Sequence, residues 1–258
     1  MRHLTAWRDW RRWIPAQCPG CGRRILGQGL CDACRGALAL DLTHPRCRVC
    51  LHPLVAGVCP DCPDEAPAYD RIIAAFDYQA LGRDLIQDYK VRCRLSLASV
   101  LADRLACAVR AAPPADRPDW IVPVPARRQA LRQRGFSPPA EIARLLAVRL
   151  GLAYRLDGVR RVQDGRKQAA LGRADRLQAQ AGLYVCGRGG RGGARQFQWH
   201  RPDGEWTGRL DGLRIAVIDD VLTTGATLQA VSVALKAAGA VRVEGWVLAR
   251  AVRRPLPR

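Results

Sequence analysis

Two adjacent carboxylates, Asp219 and Asp220, lie between a short apolar segment and a loop rich in threonine and glycine. An ionised carboxylate only accepts hydrogen bonds, so two of them suit a donor diol such as neighbouring sugar hydroxyls. The loop, Thr223 to Thr227, precedes a segment of helical length. The free N–H groups and the dipole at a helix start favour a phosphate. The sequence therefore predicts a clamp for a sugar diol beside a cradle for a phosphate.

The elements on each side of this loop must hold it in place. Arg214 to Ile218 is apolar and partly β-branched, which predicts a buried strand that ends before the two aspartates. Open α/β sheets bind ligands at the carboxyl ends of their strands. We expect Gly225 to allow a tight turn and Thr227 to cap a helix that runs through Ala240. An ordinary solvated acid pair before a capped helix is the alternative, and the order of residue types favours the binding site.

Strand-like and helical segments alternate along the middle of the chain, which predicts a parallel α/β sheet. We predict strands at 72–78, 119–125 and 159–162, helices at 81–89, 95–111 and 138–150, and a basic loop at 127–136. Residues 186–210 are rich in glycine and arginine without periodicity, so a flexible insertion is expected there. Arginine–glycine runs also bind single strands weakly, and the two interpretations are compatible.

Eight of the eleven cysteines fall in four Cys-x-x-Cys pairs. Two such pairs complete a closed four-thiolate site, which is typical of structural zinc, although iron is not excluded. The repeated plan of the two halves favours sequential pairing, with an interleaved arrangement left open. The sequential groups are Cys18, Cys21, Cys31 and Cys34, then Cys47, Cys50, Cys59 and Cys62. Cys93 and Cys107 fit no pair and are expected to be buried or incidental.

The first 68 residues are predicted to form a helix followed by a double zinc ribbon, and residues 69–258 to form the α/β domain. Trp7, Trp10 and Trp13 share one face of the N-terminal basic helix. We favour docking of this face on the protein's own domain, and a membrane or nucleic-acid surface is the alternative.

Charge and hydropathy narrow the classes of function. No run of 18 apolar residues and no signal-peptide core are present, so no membrane-spanning helix and a cytoplasmic location are expected. The net charge is +19, and residues 126–195 contribute +12 of it, from 16 basic and four acidic residues. Such a basic field attracts phosphate-rich ligands or nucleic acid. A preference for arginine codons explains the scarcity of lysine but not this clustering.

The order of residues 217–228, VIDDVLTTGATL, resembles the phosphoribosyl-pyrophosphate (PRPP) signature of type I phosphoribosyltransferases. Nearly the whole chain resembles the ComF family, phosphoribosyltransferase-like proteins linked to natural competence for DNA uptake. The other matching motifs are the double Cys-x-x-Cys ribbon, Tyr69-Asp70-Arg71, Lys90, residues 122–125 (VPVP), residues 132–136 (RQRGF) and residues 167–176 (KQAALGRADR). The resemblance implies a type I phosphoribosyltransferase-like parallel sheet with flanking helices, plus a small N-terminal zinc-ribbon module.

The resemblance also implies roles for particular residues. Asp219 and Asp220 would act on the ribose hydroxyls, partly through Mg²⁺, and would be the residues closest to catalysis. The implied PRPP site is Val124, Arg127, Arg128, Asp219, Asp220, Val221, Leu222, Thr223, Thr224, Gly225, Ala226 and Thr227. The implied phosphate or nucleic-acid contacts are Lys90, Arg92, Arg132, Arg134 and Arg173, with residues 168–176 as a mobile hood. A solvated basic face is the alternative for these arginines.

The expected partners are PRPP or a related ribose phosphate, single-stranded DNA and a competence helicase. Three functions stay open: a phosphoribosyltransferase, a PRPP sensor without turnover, and a zinc-ribbon nucleic-acid adaptor. Departures from the family pattern at Val91, Ala126, Ser137 and Ala179 count against turnover more than against phosphate binding.

Overall fold

The computed structural model describes residues 13–62, 66–113, 117–162, 183–186 and 210–252. The N-terminal part contains β1 (Pro15–Gln17), β2 (Arg24–Leu26) and α1 (Asp32–Ala37). The α/β part contains β3 (Arg71–Asp77), α2 (Ala80–Lys90), α3 (Leu97–Ala111), β4 (Trp120–Pro123), α4 (Arg128–Arg134), α5 (Pro138–Leu150), β5 (Ala153–Tyr154), β6 (Val159–Arg161), β7 (Tyr184–Cys186), β8 (Arg214–Leu222), α6 (Ala226–Ala237) and β9 (Arg242–Arg250).

Five parallel strands form the central sheet in the order β3-β9-β8-β4-β5. Their side chains point alternately to two faces, so neighbours such as Ile72 and Ile73 belong to separate apolar cores. Helices α2, α3 and α5 cover the Ile73 face, and α6 covers the Ile72 face together with the antiparallel pair β6–β7. The predicted fold class, a parallel sheet with flanking helices and an N-terminal cysteine-rich module, is confirmed.

The strands differ from the prediction in two ways that matter for the site. β8 continues to Leu222, so Asp219 and Asp220 lie inside the strand and not after its end. Their ladder with β9 persists, with Asp219 opposite Val247 and Leu222 opposite Arg250. β9 itself was not predicted, although it is buried along almost its whole length and lies between β3 and β8.

Two helical predictions also need correction. The basic segment after β4 is a helix, α4, because arginine, glutamine, alanine and leucine all favour helix and Gly135 ends it with a left-handed φ of 78°. Gly225, not Thr227, is the N-cap residue of α6, and the helix ends at Ala237 rather than Ala240. The predicted helix at 138–150 is confirmed with the same bounds.

The cysteine-rich module packs against the carboxyl edge of the sheet. The buried guanidinium of Arg46 binds both carboxylate oxygens of Asp77, the last residue of β3, at 2.6 and 3.0 Å. The backbone N–H of Asp41 donates to the same carboxylate at 2.8 Å. Arg104 of α3 donates to the carbonyl of Leu38 at 2.9 Å. These contacts place the module next to the edge where parallel sheets bind ligands.

Several predicted features lie outside the described residues. They are most of the N-terminal tryptophan helix, the hood at 168–176 and most of the glycine-rich insertion. Trp13, which is described, has 74% of its surface exposed. None of the helices in the described ranges combines the length and the apolar character needed to cross a bilayer.

Candidate functional site

The two aspartates of β8 are the centre of the candidate site. The Asp220 N–H donates to Oδ1 of Asp219, and the Val221 N–H donates to Oδ1 of Asp220, both at 2.8 Å. Each carboxylate is therefore held by the backbone N–H of the residue that follows it. Asp220 is buried and Asp219 is half-buried, so the pair sits at the boundary between the core and the solvent.

A lysine completes this acidic pair. Nζ of Lys90 lies 2.5 Å from Oδ2 of Asp220. Lys90 ends α2, and this helix packs closely on β3, since a Cβ atom on Gly82 would lie 2.7 Å from Cδ2 of Phe76. The neighbouring Tyr89 hydroxyl donates to the carbonyl of Pro138 at 3.1 Å, which fixes the C-terminal end of α2. Lys90 was predicted as a phosphate or nucleic-acid contact, and the structure places it against the carboxylate pair.

The surroundings of Asp219 change its acidity. Removal from water, and then the adjacent charge of Asp220, raise the pKa of Asp219 to about 7, while Lys90 acts in the opposite direction. A carboxyl group with such a pKa holds a proton in part of the molecules near neutral pH. A ligand that brings positive charge or hydrogen-bond donors to the pair favours the ionised form.

Residues 223–227, named here the candidate phosphate loop, line a cavity of about 140 Å³ with Asp219 and Val247. Gly225 has a left-handed φ of 77°, which allows the chain to turn sharply from β8 into α6. Within the described part of the chain, the backbone N–H groups of Thr224, Gly225 and Thr227 have no protein acceptor. Free N–H groups at a helix start that line a small cavity form an anion-binding arrangement.

The end of β4 forms the next part of the site. Val124 is buried, and its N–H donates to the carbonyl of Ile218 at 2.9 Å, so the turn after β4 lies beside the aspartates. Arg127 and Arg128 follow at the start of α4 and are exposed. Both Arg127 and Asp219 act electrostatically on buried Tyr184, whose pKa is raised mainly by burial. Arg127 and Arg128, the predicted pyrophosphate-side arginines, therefore follow directly after the turn that is bonded to β8.

The remaining predicted basic contacts occupy different places. Arg132 and Arg134 lie on α4, none of whose side chains is buried. Arg92 pairs with Asp88, which also binds Arg94 at 2.5 Å. Arg173 lies outside the described residues. These arginines stay predicted nucleic-acid contacts, and two of them, Arg132 and Arg134, lie on the helix that follows β4 in the chain.

The cysteines gather in two groups, as the favoured sequential pairing predicted. Cys18, Cys21, Cys31 and Cys34 form the first four-cysteine site, and Cys47, Cys50, Cys59 and Cys62 form the second. Sulfur–sulfur distances of 3.7 Å (Cys21–Cys31), 3.6 Å (Cys47–Cys62) and 3.5 Å (Cys50–Cys59) are far too long for disulfides. They match the edge of a tetrahedron of sulfurs around zinc, about 3.8 Å for bonds of about 2.3 Å.

The chemistry of these thiols also fits a metal. Burial, and then the thiols of Cys21 and Cys31, raise the pKa of Cys34 to about 12. Four thiolates this close therefore need a cation to compensate their charge. Backbone N–H groups point at the sulfurs, such as Cys31 N to Cys18 Sγ at 3.3 Å and Cys62 N to Cys59 Sγ at 3.3 Å. Each group could hold one zinc ion with all four positions filled, which suits a structural role.

The other cysteines are not part of these groups. Cys93 and Cys107 are both exposed, so of the two predicted alternatives, buried or incidental, the structure excludes burial. They lie in α3 or just before it, where their positions face solvent rather than the apolar core.

One residue near the site was missed by sequence reasoning. Arg250, at the end of β9, is fully buried and donates to the carbonyl of Thr223 at 2.8 Å. The sequence carries no local signal for it, because its partners lie far away along the chain.

Comparison with known proteins places this site in context. No protein-family profile matches the chain. Competence protein F of Haemophilus influenzae is 27% identical over 232 residues, which cover 88% of this chain and 93% of the relative. The DNA utilization protein YhgH of Salmonella typhi is 29% identical over 240 residues, 86% of this chain and 97% of the relative. Its counterpart in Escherichia coli K12 is 27% identical over 244 residues, 92% of this chain and 98% of the relative.

Among solved structures, the glutamine PRPP amidotransferase from B. subtilis, complexed with ADP and GMP, gives a TM-score of 0.35 at 20% identity. The match covers 58% of this chain and 25% of that longer chain. The similarity to competence protein F and the YhgH proteins extends over nearly the whole length of both partners. These relatives confirm the resemblance of the chain to the ComF family.

Proposed function

We propose that the carboxyl edge of the sheet binds a ribose 5-phosphate group, with PRPP and Mg²⁺ as the ligand, in a protein that handles single-stranded DNA during competence. The relatives named for competence and for DNA utilization support the biological setting. The observation that supports this ligand is that the Asp219–Asp220 pair, on β8, is directly followed by the candidate phosphate loop in the next turn, and that Asp219 and the loop line the same cavity. A diol and a phosphate of one ribose fit such an arrangement.

The residues present fit a magnesium ion. Mg²⁺ is bound in proteins through one or two carboxylates together with waters and substrate phosphates. Asp219 and Asp220 supply such carboxylates. Burial, and then the adjacent charge of Asp220, raise the pKa of Asp219 to about 7 although Lys90 acts against the rise, so a bound cation would favour its ionised form. The ion, when bound with pyrophosphate, supplies charge neutralisation for the departing group.

Transfer at this site would rest on position and electrostatics. The aspartates hold the ribose hydroxyls, the N–H groups of the candidate phosphate loop hold the 5′-phosphate, and Arg127 and Arg128 lie on the pyrophosphate side. Positive charge that develops on the sugar during departure of pyrophosphate is stabilised by the carboxylates beside it. Lys90 keeps Asp220 in a fixed orientation through their ion pair.

Calorimetric titration of PRPP with Mg²⁺ tests the binding. Asp219→Asn combined with Asp220→Asn is expected to abolish it, because both diol acceptors lose their charge. Asp84→Asn is the matched control, since Asp84 is an exposed aspartate that pairs with Arg83 on the outer side of α2. Unchanged affinity in the double variant would refute the site.

A nucleic-acid adaptor without turnover is the second candidate, and the exposed basic helix α4 favours it. None of the side chains of α4 is needed for the core, so its arginines are available to a polyanion. A screen for pyrophosphate release with nucleobases and amines separates the two candidates. Release with any acceptor excludes the adaptor without turnover, whereas PRPP binding without release supports the sensor and adaptor interpretations.

A further inference from the structure

Arg250 joins two sites that the chain keeps far apart in sequence. It is the last residue of β9, and 1% of its surface is exposed. A buried guanidinium is costly unless nearly all of its N–H groups find acceptors. The acceptors of Arg250 come from the end of β8, from the candidate phosphate loop and from the second four-cysteine site.

On one side, the guanidinium holds the backbone that leads into the candidate phosphate loop. Nη1 donates to the carbonyl of Thr223 at 2.8 Å and to that of Leu222 at 3.2 Å. The same nitrogen also donates to the carbonyl of Ala251. A peptide group whose carbonyl is fixed has its plane fixed as well. These contacts therefore help to set the direction of the N–H groups that follow in the loop.

On the other side, the guanidinium holds the second four-cysteine site. Nε donates to the carbonyl of Cys50 at 2.7 Å, and Nη2 donates to Oδ2 of Asp61 at 2.6 Å. Cys50 is a member of the site, and Asp61 lies in the turn between Cys59 and Cys62. Both acceptors therefore belong to segments whose conformation depends on the metal that the four thiols gather.

We propose that Arg250 is a positioning residue that couples the second four-cysteine site to the candidate phosphate loop. The loop keeps its anion-binding shape only while the second site holds its metal. Coupling between two binding events is reciprocal, so a phosphate ligand in the loop also raises the affinity of the second site for that metal. The functional part of this inference rests on the proposed ribose-phosphate site, whereas the mechanical link rests on the Arg250 contacts alone.

Hydrogen exchange in the metal-loaded full chain tests the link without any ligand. Cys59→Ser disables the second site, and Cys21→Ser is the matched change in the first. The Ala251 and Gln229 amides donate to the carbonyls of Leu222 and Gly225 at 2.9 and 2.8 Å. Their exchange is expected to become about tenfold faster in Cys59→Ser and to stay unchanged in Cys21→Ser, as the loss of one or two charge-assisted hydrogen bonds predicts. Residues 214–218, at the start of the same strand, are expected to keep their protection in both variants.

Arg250→Lys tests the residue itself, because lysine keeps the charge but lacks the planar fork that reaches several acceptors. The same acceleration at the Ala251 and Gln229 amides, with two metal ions still bound, is the expected result. Asp61→Asn is the milder variant, should the first fail to fold, and a smaller acceleration is expected from it. Unchanged exchange at the Ala251 and Gln229 amides of a folded, metal-loaded variant would overturn the proposal.

Competition for the metal with a chelator then tests whether PRPP bound in the loop affects the second four-cysteine site. In the unmodified protein, saturating PRPP is expected to raise the metal affinity of the second site about tenfold, measured by equilibrium competition with the chelator, and Arg250→Lys is expected to remove this effect. A ligand effect that is equal in both proteins would contradict the role of Arg250. If the unmodified protein does not bind PRPP, the proposed function fails, and the exchange measurements still decide whether the two sites are coupled.

Discussion

Nζ of Lys90 lies 2.5 Å from Oδ2 of Asp220, so the last residue of a flanking helix supplies the cation that faces the acidic pair of the central sheet. The ammonium group offsets part of the repulsion between two adjacent carboxylates and acts against the rise in the pKa of Asp219. The packing of α2 on β3 therefore influences the ionisation and orientation of the two carboxylates that are proposed to bind the ligand.

Lys90→Met is therefore expected to weaken binding of PRPP with Mg²⁺ by about tenfold, equivalent to about 1.4 kcal/mol, because Asp220 loses its orienting partner. Calorimetric titration measures the change. Lys236→Met is the matched control. Lys236 lies on α6, has the same 34% side-chain exposure as Lys90, and pairs with Asp70 at 2.9 Å. Equal affinities for the two variants would contradict the role of Lys90.

Binding of the ribose ligand should depend on pH through Asp219. The pKa of Asp219 is raised to about 7, so part of the free protein must lose a proton from this group before the diol and the cation can bind. Affinity is expected to rise from about pH 5 to about pH 7 and then to level off, with proton release on binding below pH 7. Calorimetry in buffers of different ionisation enthalpy detects the released proton.

Asp219→Asn separates this group from the titration of the ligand's own phosphate. The variant is expected to lose the proton release that belongs to Asp219.

The stability of the protein gives a second check on the raised pKa of Asp219, because the folded state holds this proton more tightly than the unfolded state. The free energy of unfolding should fall as pH rises from about 4 to about 7, and Asp219→Asn should flatten that slope. Identical slopes would show that Asp219 titrates normally.

The parts of the fold that could be predicted are those with strong local signals. Helix α5 follows Ser137, whose Oγ accepts the N–H of Ala140 at 3.4 Å, and ends at Gly151 with a left-handed φ of 62°. Both signals are visible in the sequence as a capping residue before two prolines and a glycine after the last apolar turn. The two four-cysteine sites could likewise be predicted from the four Cys-x-x-Cys pairs, because tetrahedral coordination restricts the spacing of the ligands.

The parts that could not be predicted depend on partners distant in sequence. β9 contains Glu244 and ends in Arg250, and these charges weaken its apolar pattern. Glu244 is satisfied inside the fold by Trp246 Nε1 at 3.0 Å and by Arg71 at 2.9 Å. The extension of β8 through Asp219 and Asp220 likewise depends on its ladder with β9 and not on local preference.

Each four-cysteine site should hold one zinc ion, which gives two per chain in native mass spectrometry. Cys21→Ser with Cys31→Ser removes two ligands of the first site and is expected to leave one ion. Cys31→Ser with Cys59→Ser removes one ligand from each site and is expected to lower the content of both, since three thiolates bind zinc more weakly than four. A content of two ions in the first double variant would contradict the sequential grouping.

Helix α4 should contribute to binding of single-stranded DNA. Replacement of Arg132 and Arg134 by glutamine is expected to reduce the slope of log affinity against log salt by about 1.4, because each lost phosphate contact removes about 0.7. Fluorescence anisotropy at several salt concentrations measures the slope. Arg110→Gln on α3, whose guanidinium donates to the carbonyl of Arg149, is the control. An unchanged slope in the α4 variant would indicate that this helix is only a solvated basic face.

Gly225→Ala should impair the candidate phosphate loop more than its backbone strain alone explains. An alanine at a φ of 77° costs about 1 kcal/mol, and its Cβ would lie 3.2 Å from the hydroxyl of Tyr69. Gly212→Ala is the matched control, because Gly212 has a φ of 76° and no heavy atom lies within 4 Å of its added Cβ. Both variants should lose similar stability from strain, measured by thermal unfolding, whereas only Gly225→Ala should also lose PRPP affinity. Equal affinity in the two variants would place the phosphate away from this turn.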